Sequence, residues 1–194
     1  MKRPFSRTTA TAVTTACVAA LALLAGCSSN KTPGQNNPGA FTYLLDRQDT
    51  WRESVPDTLP PLPADNATLY PFYVSNSTPL KFAIDPNSLS VGKDEVVRYT
   101  VVITSPNGAR NVNYEGIRCA AFEWRLYASL NADHDGWDQT VANDWTRIET
   151  GTLNAYHSVL LQDYLCFNKI PAGDARQMLR RLQSGTIIKP DTIQ

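Results

Sequence analysis

Histidine is nearly absent from this chain. There are two in 194 residues, His134 and His157. A zinc site is built mostly from histidine and thiolate ligands, and with the cysteines expected to be bonded or lipidated, two histidines fall short of the three or four required. There is no Cys-x-x-Cys, so no thioredoxin-type redox pair is expected. No Gly-x-Ser-x-Gly occurs, and no Ser-x-x-Lys stands before a plausible set of partners, so nucleophilic hydrolase motifs are missing. Gly92 and Gly108 are isolated, so no glycine-rich loop can cradle a phosphate. No segment repeats. These absences leave no cofactor, no metal and no catalytic residue to assign by motif.

What is present begins at the N-terminus. Residues 1–7 carry Lys2, Arg3 and Arg7 and no acid, and TTATAVTTACVAALALLAGC follows. This is a basic segment followed by an apolar one too short to be a good spanning helix. It ends in Leu24-Ala25-Gly26-Cys27, which resembles the lipobox of bacterial lipoproteins. The resemblance implies cleavage before Cys27, acylation of its thiol and of the new N-terminus, and essentially permanent anchoring, since acyl chains contribute about 0.8 kcal/mol per buried CH₂. Ser28 rather than Asp follows the cysteine, which points to the periplasmic face of the outer membrane. Three of the 18 bases precede Cys27 and none of the 18 acids does, so the processed chain carries 15 bases against 18 acids, net −3. A slightly acidic surface argues against nucleic acid or anionic lipid as a partner.

Cys17 leaves with the leader and Cys27 is lipidated. Cys119 and Cys166 remain, 47 residues apart in an oxidising compartment, and are expected to form a disulfide. The loop-entropy model gives such a bond roughly 4 kcal/mol.

Three segments follow the leader, residues 1–26. Residues 27–50 read as the lipidated N-terminus and a flexible tether, with SSNKTPGQNNPGA able to span at most about 45 Å. Residues 51–194 read as a single α+β domain opening with a Pro-rich strap, WRESVPDTLPPLPAD, whose Trp51, Val55, Leu59 and Leu62 supply apolar contacts. Strands are expected at 69–74, 80–84 (ended by Asp85-Pro86), 95–104, 110–117, 120–128 and 145–148. In the fifth, Phe122, Trp124 and Leu126 alternate with Glu123, Arg125 and Tyr127, which predicts one buried face. Helical spacing appears over 153–166, with Thr152 as N-cap, and again over 174–182. The expected architecture is an antiparallel meander with C-terminal helices packed on one face and one disulfide.

Asn131-Ala-Asp133-His134-Asp135-Gly136 mimics the start of a calcium loop, but position nine is Gln139 and position twelve is Ala142, so an acidic surface turn is expected instead. The densest chemistry is RNVNYEGIRC, 110–119. Its candidate recognition residues are Arg110, Tyr114, Glu115 and Arg118. Their grouping depends on the turn at Pro106-Asn107-Gly108. A three-residue loop puts Tyr99 opposite Glu115, and a four-residue loop puts Arg98 there. Turn chemistry favours the first. The hairpin is then either a polar groove for a ligand or the solvated face of a half-buried sheet.

VVRYTVVITSPNGARNVNYEGIRC, with SLSVG before it and EWRLYA after, resembles the cryptic neisserial protein-like family of exported proteobacterial proteins. Trp137, Trp145 and Asp163-Tyr164-Leu165-Cys166 extend the likeness across about 69–182. Glu95 departs from it, standing where many members have Gly. The resemblance implies an exported single-domain protein and carries no catalytic residues. The reading that results is an outer-membrane lipoprotein facing the periplasm, joined to the membrane by its lipid. It is a binding or assembly accessory whose partner is an envelope protein or peptidoglycan. The alternative is an envelope-acting hydrolase using Glu115.

Overall fold

The computed structural model describes residues 51–149 and 155–188. The leader, Cys27, the tether and Thr152 lie outside these residues. Thr50–Gln194 clusters as one compact unit. The fold is α+β. Strands β1 (Tyr70–Phe72), β2 (Lys81–Val91), β3 (Val96–Thr104), β4 (Arg110–Arg118), β5 (Glu123–Leu130) and β6 (Trp137–Asp138) pair in that order, each antiparallel to the last, and β7 (Thr146–Arg147) also pairs with β5. Helix α1 (Ala155–Val159) runs into a π-helical turn, Leu160–Leu165. A small hairpin, β8 (Cys166–Phe167) with β9 (Ile170–Pro171), leads to helix α2 (Ala175–Ser184).

The turn at Pro106-Asn107-Gly108 sets the register of the central hairpin. Gly108 has φ +84 and its N–H donates to the Ser105 carbonyl at 3.0 Å, while Ser105 N–H donates to Ala109 O at 2.9 Å. A loop closed this way demands a residue free to adopt positive φ, which glycine supplies. Tyr99 therefore lies opposite Glu115 and Val102 opposite Val112. Because the side-chain period is two, even-numbered residues of β3 and β4 share one face and odd-numbered residues share the other.

The odd face is the main core. Val97, Tyr99, Val101 and Ile117 pack against Leu160, Leu161, Tyr164, Leu165, Met178 and Leu182. Cys119, just past β4, bonds to Cys166 just past the π-helical turn, with Cα atoms 5.6 Å apart. The disulfide thus staples the helical layer to the sheet. Helix α2 is capped at both ends: Asp174 and Gln177 form a reciprocal capping box, and Gly185 closes the C-terminus with φ 64.

The structure corrects the expected half-solvated sheet. Val96, Arg98, Thr100 and Val102, all on the even face, are buried as completely as their odd neighbours. The strap covers part of that face, so both faces of the hairpin are enclosed. The fifth strand is corrected for the same reason. Tyr127 and Ala128 are buried, whereas Phe122 is 37 % exposed in the turn before β5 with φ 57.

The Asp85-Pro86 signal does not end β2. Residues 86–89 bulge out, and β2 resumes its pairing at Ser90. The bulge is stitched by side chains. Ser88 Oγ donates to Asp85 O at 2.8 Å and accepts from Thr100 N–H at 2.7 Å, so a hydroxyl takes the missing ladder position. The C-terminal helical pattern is real, but its second half widens into the π-helical turn. The 131–136 segment is a tight turn between β5 and β6. Asn131 Oδ1 accepts from the N–H groups of Asp135 and Gly136 at 3.1 and 3.3 Å. Glu95 has φ 60, a conformation only glycine adopts without strain, which accounts physically for the glycine expected there.

Gly116 lies where β4 and β5 pass under Tyr127. A Cβ on it would stand 2.8 Å from the Tyr127 hydroxyl, 2.9 Å from its ring and 3.0 Å from Val96 Cγ1. Gly116→Ala should therefore destabilise by about 1–3 kcal/mol, the range for overpacking. Urea unfolding followed by circular dichroism measures it. A loss under about 0.5 kcal/mol, the ordinary surface range, would show that this approach is not tight.

Candidate functional site

The four residues singled out in the hairpin separate by parity. Glu115 points into the helical core. Arg110, Tyr114 and Arg118 point to the opposite face and meet the chain's own strap.

Glu115 is fully buried, and each of its oxygens takes two donors. Oε2 accepts from the Tyr99 hydroxyl at 3.1 Å and bonds His157 Nε2 at 2.9 Å. Oε1 accepts from the Tyr156 hydroxyl at 2.8 Å and Asn113 Nδ2 at 3.1 Å. An acceptor so surrounded fixes the imidazole with its proton on Nε2. His157 is itself buried, its ring between those of Trp124 and Tyr156, each 3.9 Å away between centroids. Burial first, and then the neighbouring Glu115 carboxylate, push the Tyr99 and Tyr156 hydroxyls well above the ordinary phenol range, so both remain neutral donors. Four donors around one carboxylate tie α1 to β3 and β4.

The second centre lies on the even face, under the strap. Glu53 Oε1 accepts from Arg98 Nη2 at 3.2 Å and from the Tyr127 hydroxyl. Glu53 Oε2 accepts from Arg125 Nη1 at 2.7 Å and from Trp145 Nε1 at 3.1 Å. Arg98 grips Asp94 with both terminal nitrogens, at 3.1 and 2.7 Å, and Asp94 Oδ2 also accepts from the Ser54 N–H at 2.8 Å. Tyr127 reaches this centre because a bulge in β5 opposite Tyr114/Glu115 adds one residue and turns its side chain toward the strap. Burial alone would raise the Glu53 and Asp94 carboxyls. The donors outweigh it: Tyr127, Trp145, Arg125 and Arg98 around Glu53, and Arg98 with two backbone N–H groups around Asp94. Both carboxyls are held below their usual range.

The strap is fixed at further points. Trp51 Nε1 donates to Asp94 O at 2.8 Å, and the Arg118 guanidinium lies 4.0 Å from a Trp51 ring centroid. Arg118 also faces Glu123 at 3.5 Å. Trp137 Nε1 donates to the Pro60 carbonyl at 2.7 Å, and Arg110 pairs with Asp65. Between the Ser54 and Pro60 anchors the strap arches outward, leaving Val55 52 % exposed. The arch roofs a cavity of about 260 Å³ whose lining includes Asp57 and Leu59 of the strap, Tyr114, Arg125 and Tyr127 of the sheet, and Gln139. Tyr114 is thus buried and forms part of this wall, beside the Tyr127 ring at 5.4 Å.

Sequence reasoning missed Glu53, Asp94, Arg98, Arg125 and His157 as polar centres. One signal was available: Arg98 is the one charge in the β-branched and aromatic run Val96–Ile103, where an unpaired charge is untenable. Among the described residues, no three His, Cys, Asp or Glu side chains come together as a metal-holding group, and no helix is long and apolar enough to cross a membrane.

A family model described as the CNP1-like family matches residues 46–183. No curated protein and no solved structure matches the chain.

Two predictions come from these centres. Glu53 and Asp94 have lowered folded-state values, so their contribution is complete above the ordinary values of 4.5 and 3.8 and is lost as pH falls through the lower folded ones. Glu53→Gln should destabilise by about 2 kcal/mol at pH 7 and flatten the fall in stability below that range. An acid limb as steep as that of the wild type would show that Glu53 is not held as described. Glu115→Gln turns one acceptor oxygen into a donor facing two donors, and should lower stability by about 2 kcal/mol. Thermal unfolding of that variant at unchanged midpoint would contradict the four-donor arrangement.

Proposed function

This chain belongs to the CNP1-like family, and on that footing we propose that it is a lipoprotein anchored in the outer membrane, with its folded part in the periplasm as a binding or assembly accessory of the cell envelope. The observation that carries the proposal is the run from the basic start to Leu24-Ala25-Gly26-Cys27. A signal of this kind places an acyl anchor on Cys27. The Cys119–Cys166 bond supports an oxidising compartment, because such bonds persist outside the cytosol.

Binding is favoured over catalysis by the fate of Glu115. A general acid or base must reach a substrate proton. Glu115 is fully buried and occupied by four donors, which suits a structural role. The hydrolase alternative that named it has no observation in its favour. Among the described residues, one surface open to a ligand is the cavity beneath the strap, whose walls come from the strap, the sheet and Gln139.

Cys27→Ala should leave an uncleaved, unlipidated precursor that no longer fractionates with outer membranes. Metabolic labelling with a palmitate analogue, followed by density-gradient separation, reads both. Labelling and outer-membrane recovery at wild-type levels would refute the anchor.

A further inference from the structure

We propose that the cavity beneath the strap binds one neutral pyranose residue of an envelope glycan. The inference rests on the envelope address proposed above.

Size is the first argument. About 260 Å³ lies just under the about 300 Å³ at which pockets for drug-sized ligands begin. One sugar ring fits, and a longer ligand must continue outside.

Charge is the second. The guanidinium groups of Arg98 and Arg125 are matched by the carboxylates of Glu53 and Asp94. Asp57 adds a further acid to the lining. An anionic ligand would find no surplus positive charge here, and bringing it in would leave it uncompensated. A neutral ligand with many hydroxyls meets no such penalty.

The third is the chemistry of the lining. Asp57 offers acceptors and Gln139 offers both a donor and an acceptor. The Arg125 side chain also lines the cavity, with its Nη1 held by Glu53. Tyr114 and Tyr127 add aromatic surface, against which the C–H face of a pyranose packs with its apolar side while its hydroxyls turn to the polar groups. Val55, Pro56, Leu59 and Ala142 complete the lining, and this mixture of polar groups, rings and aliphatic surface suits a sugar ring, which carries both hydroxyls and an apolar C–H face.

The test uses the full-length protein in a detergent without a sugar headgroup. Its two probes are chitotriose, followed by calorimetry and by NMR of the Gln139 side-chain amide, and purified peptidoglycan sacculi, followed by co-sedimentation. Asp57 and Gln139 are exposed and outside the Glu53 centre, so Asp57→Ala and Gln139→Ala should fold as the wild type does. Each is expected to weaken chitotriose binding by about fivefold or more, the effect of one lost hydrogen bond, and to reduce sedimentation with sacculi in parallel. No chitotriose binding, or binding unchanged in both variants, overturns the proposal. Sacculus binding that persists undiminished in both variants also overturns the cavity while leaving an envelope-binding role intact. Failure of that underlying role would instead appear as loss of the Cys27-dependent outer-membrane fractionation.

Discussion

The clasp of one carboxylate, Glu53, between Arg98, Arg125, Tyr127 and Trp145 is the interaction on which the architecture depends. An antiparallel hairpin packed on helices ordinarily leaves its other face to water. Here that face carries Arg98 at 1 % exposure in the middle of β3. A guanidinium so placed is stable only with its charge matched and its donors filled. Asp94 supplies part of the match from four residues away. The strap supplies the rest, through Glu53. Burying Arg98 and docking the strap are one event.

Two carboxylates, sixty-odd positions apart in sequence, thus define the two faces of one hairpin. Glu115 faces the helical layer and holds α1 through Tyr156 and His157. Glu53 faces the other way and holds the strap. Between them pass β3 and β4, and small adjustments keep the faces apart. The β5 bulge turns Tyr127 to the strap, Gly116 leaves room for it, and the Pro106-Asn107-Gly108 turn fixes parity. A one-residue slip would drive Glu115 into the strap and Tyr114 into the core. The cavity under the arch follows from the same arrangement, because the strap is pinned at Ser54 and at Pro60 and bows between them.

Much of the fold was legible because it was written locally. Gly108 announced its turn, the strands announced themselves by β-branched alternation, and α2 by its spacing. The disulfide followed from cysteine number and compartment. What could not be read was long-range and polar. Nothing near Glu53 in sequence marks it as the partner of Arg125, 72 residues away, nor Glu115 as the partner of His157, 42 residues away. RNVNYEGIRC was rightly seen as dense in chemistry, but Arg110, Tyr114 and Arg118 recognise this chain's own N-terminal strap, and Glu115 its own helix. The fifth strand was misjudged for the same reason. Its Arg125 and Tyr127 read as solvent-facing until the strap is seen to cover them.

Amide hydrogen exchange at Ser54 tests the central claim most directly. Its N–H donates to Asp94 Oδ2 at 2.8 Å, at the point where strap and buried centre meet. If the strap is clasped as described, this amide exchanges slowly at neutral pH, and its protection falls on acidification together with that of Val96, whose N–H also donates to Asp94. Exchange of Ser54 at the rate of an unstructured amide at neutral pH, with Val96 still protected, would contradict the account.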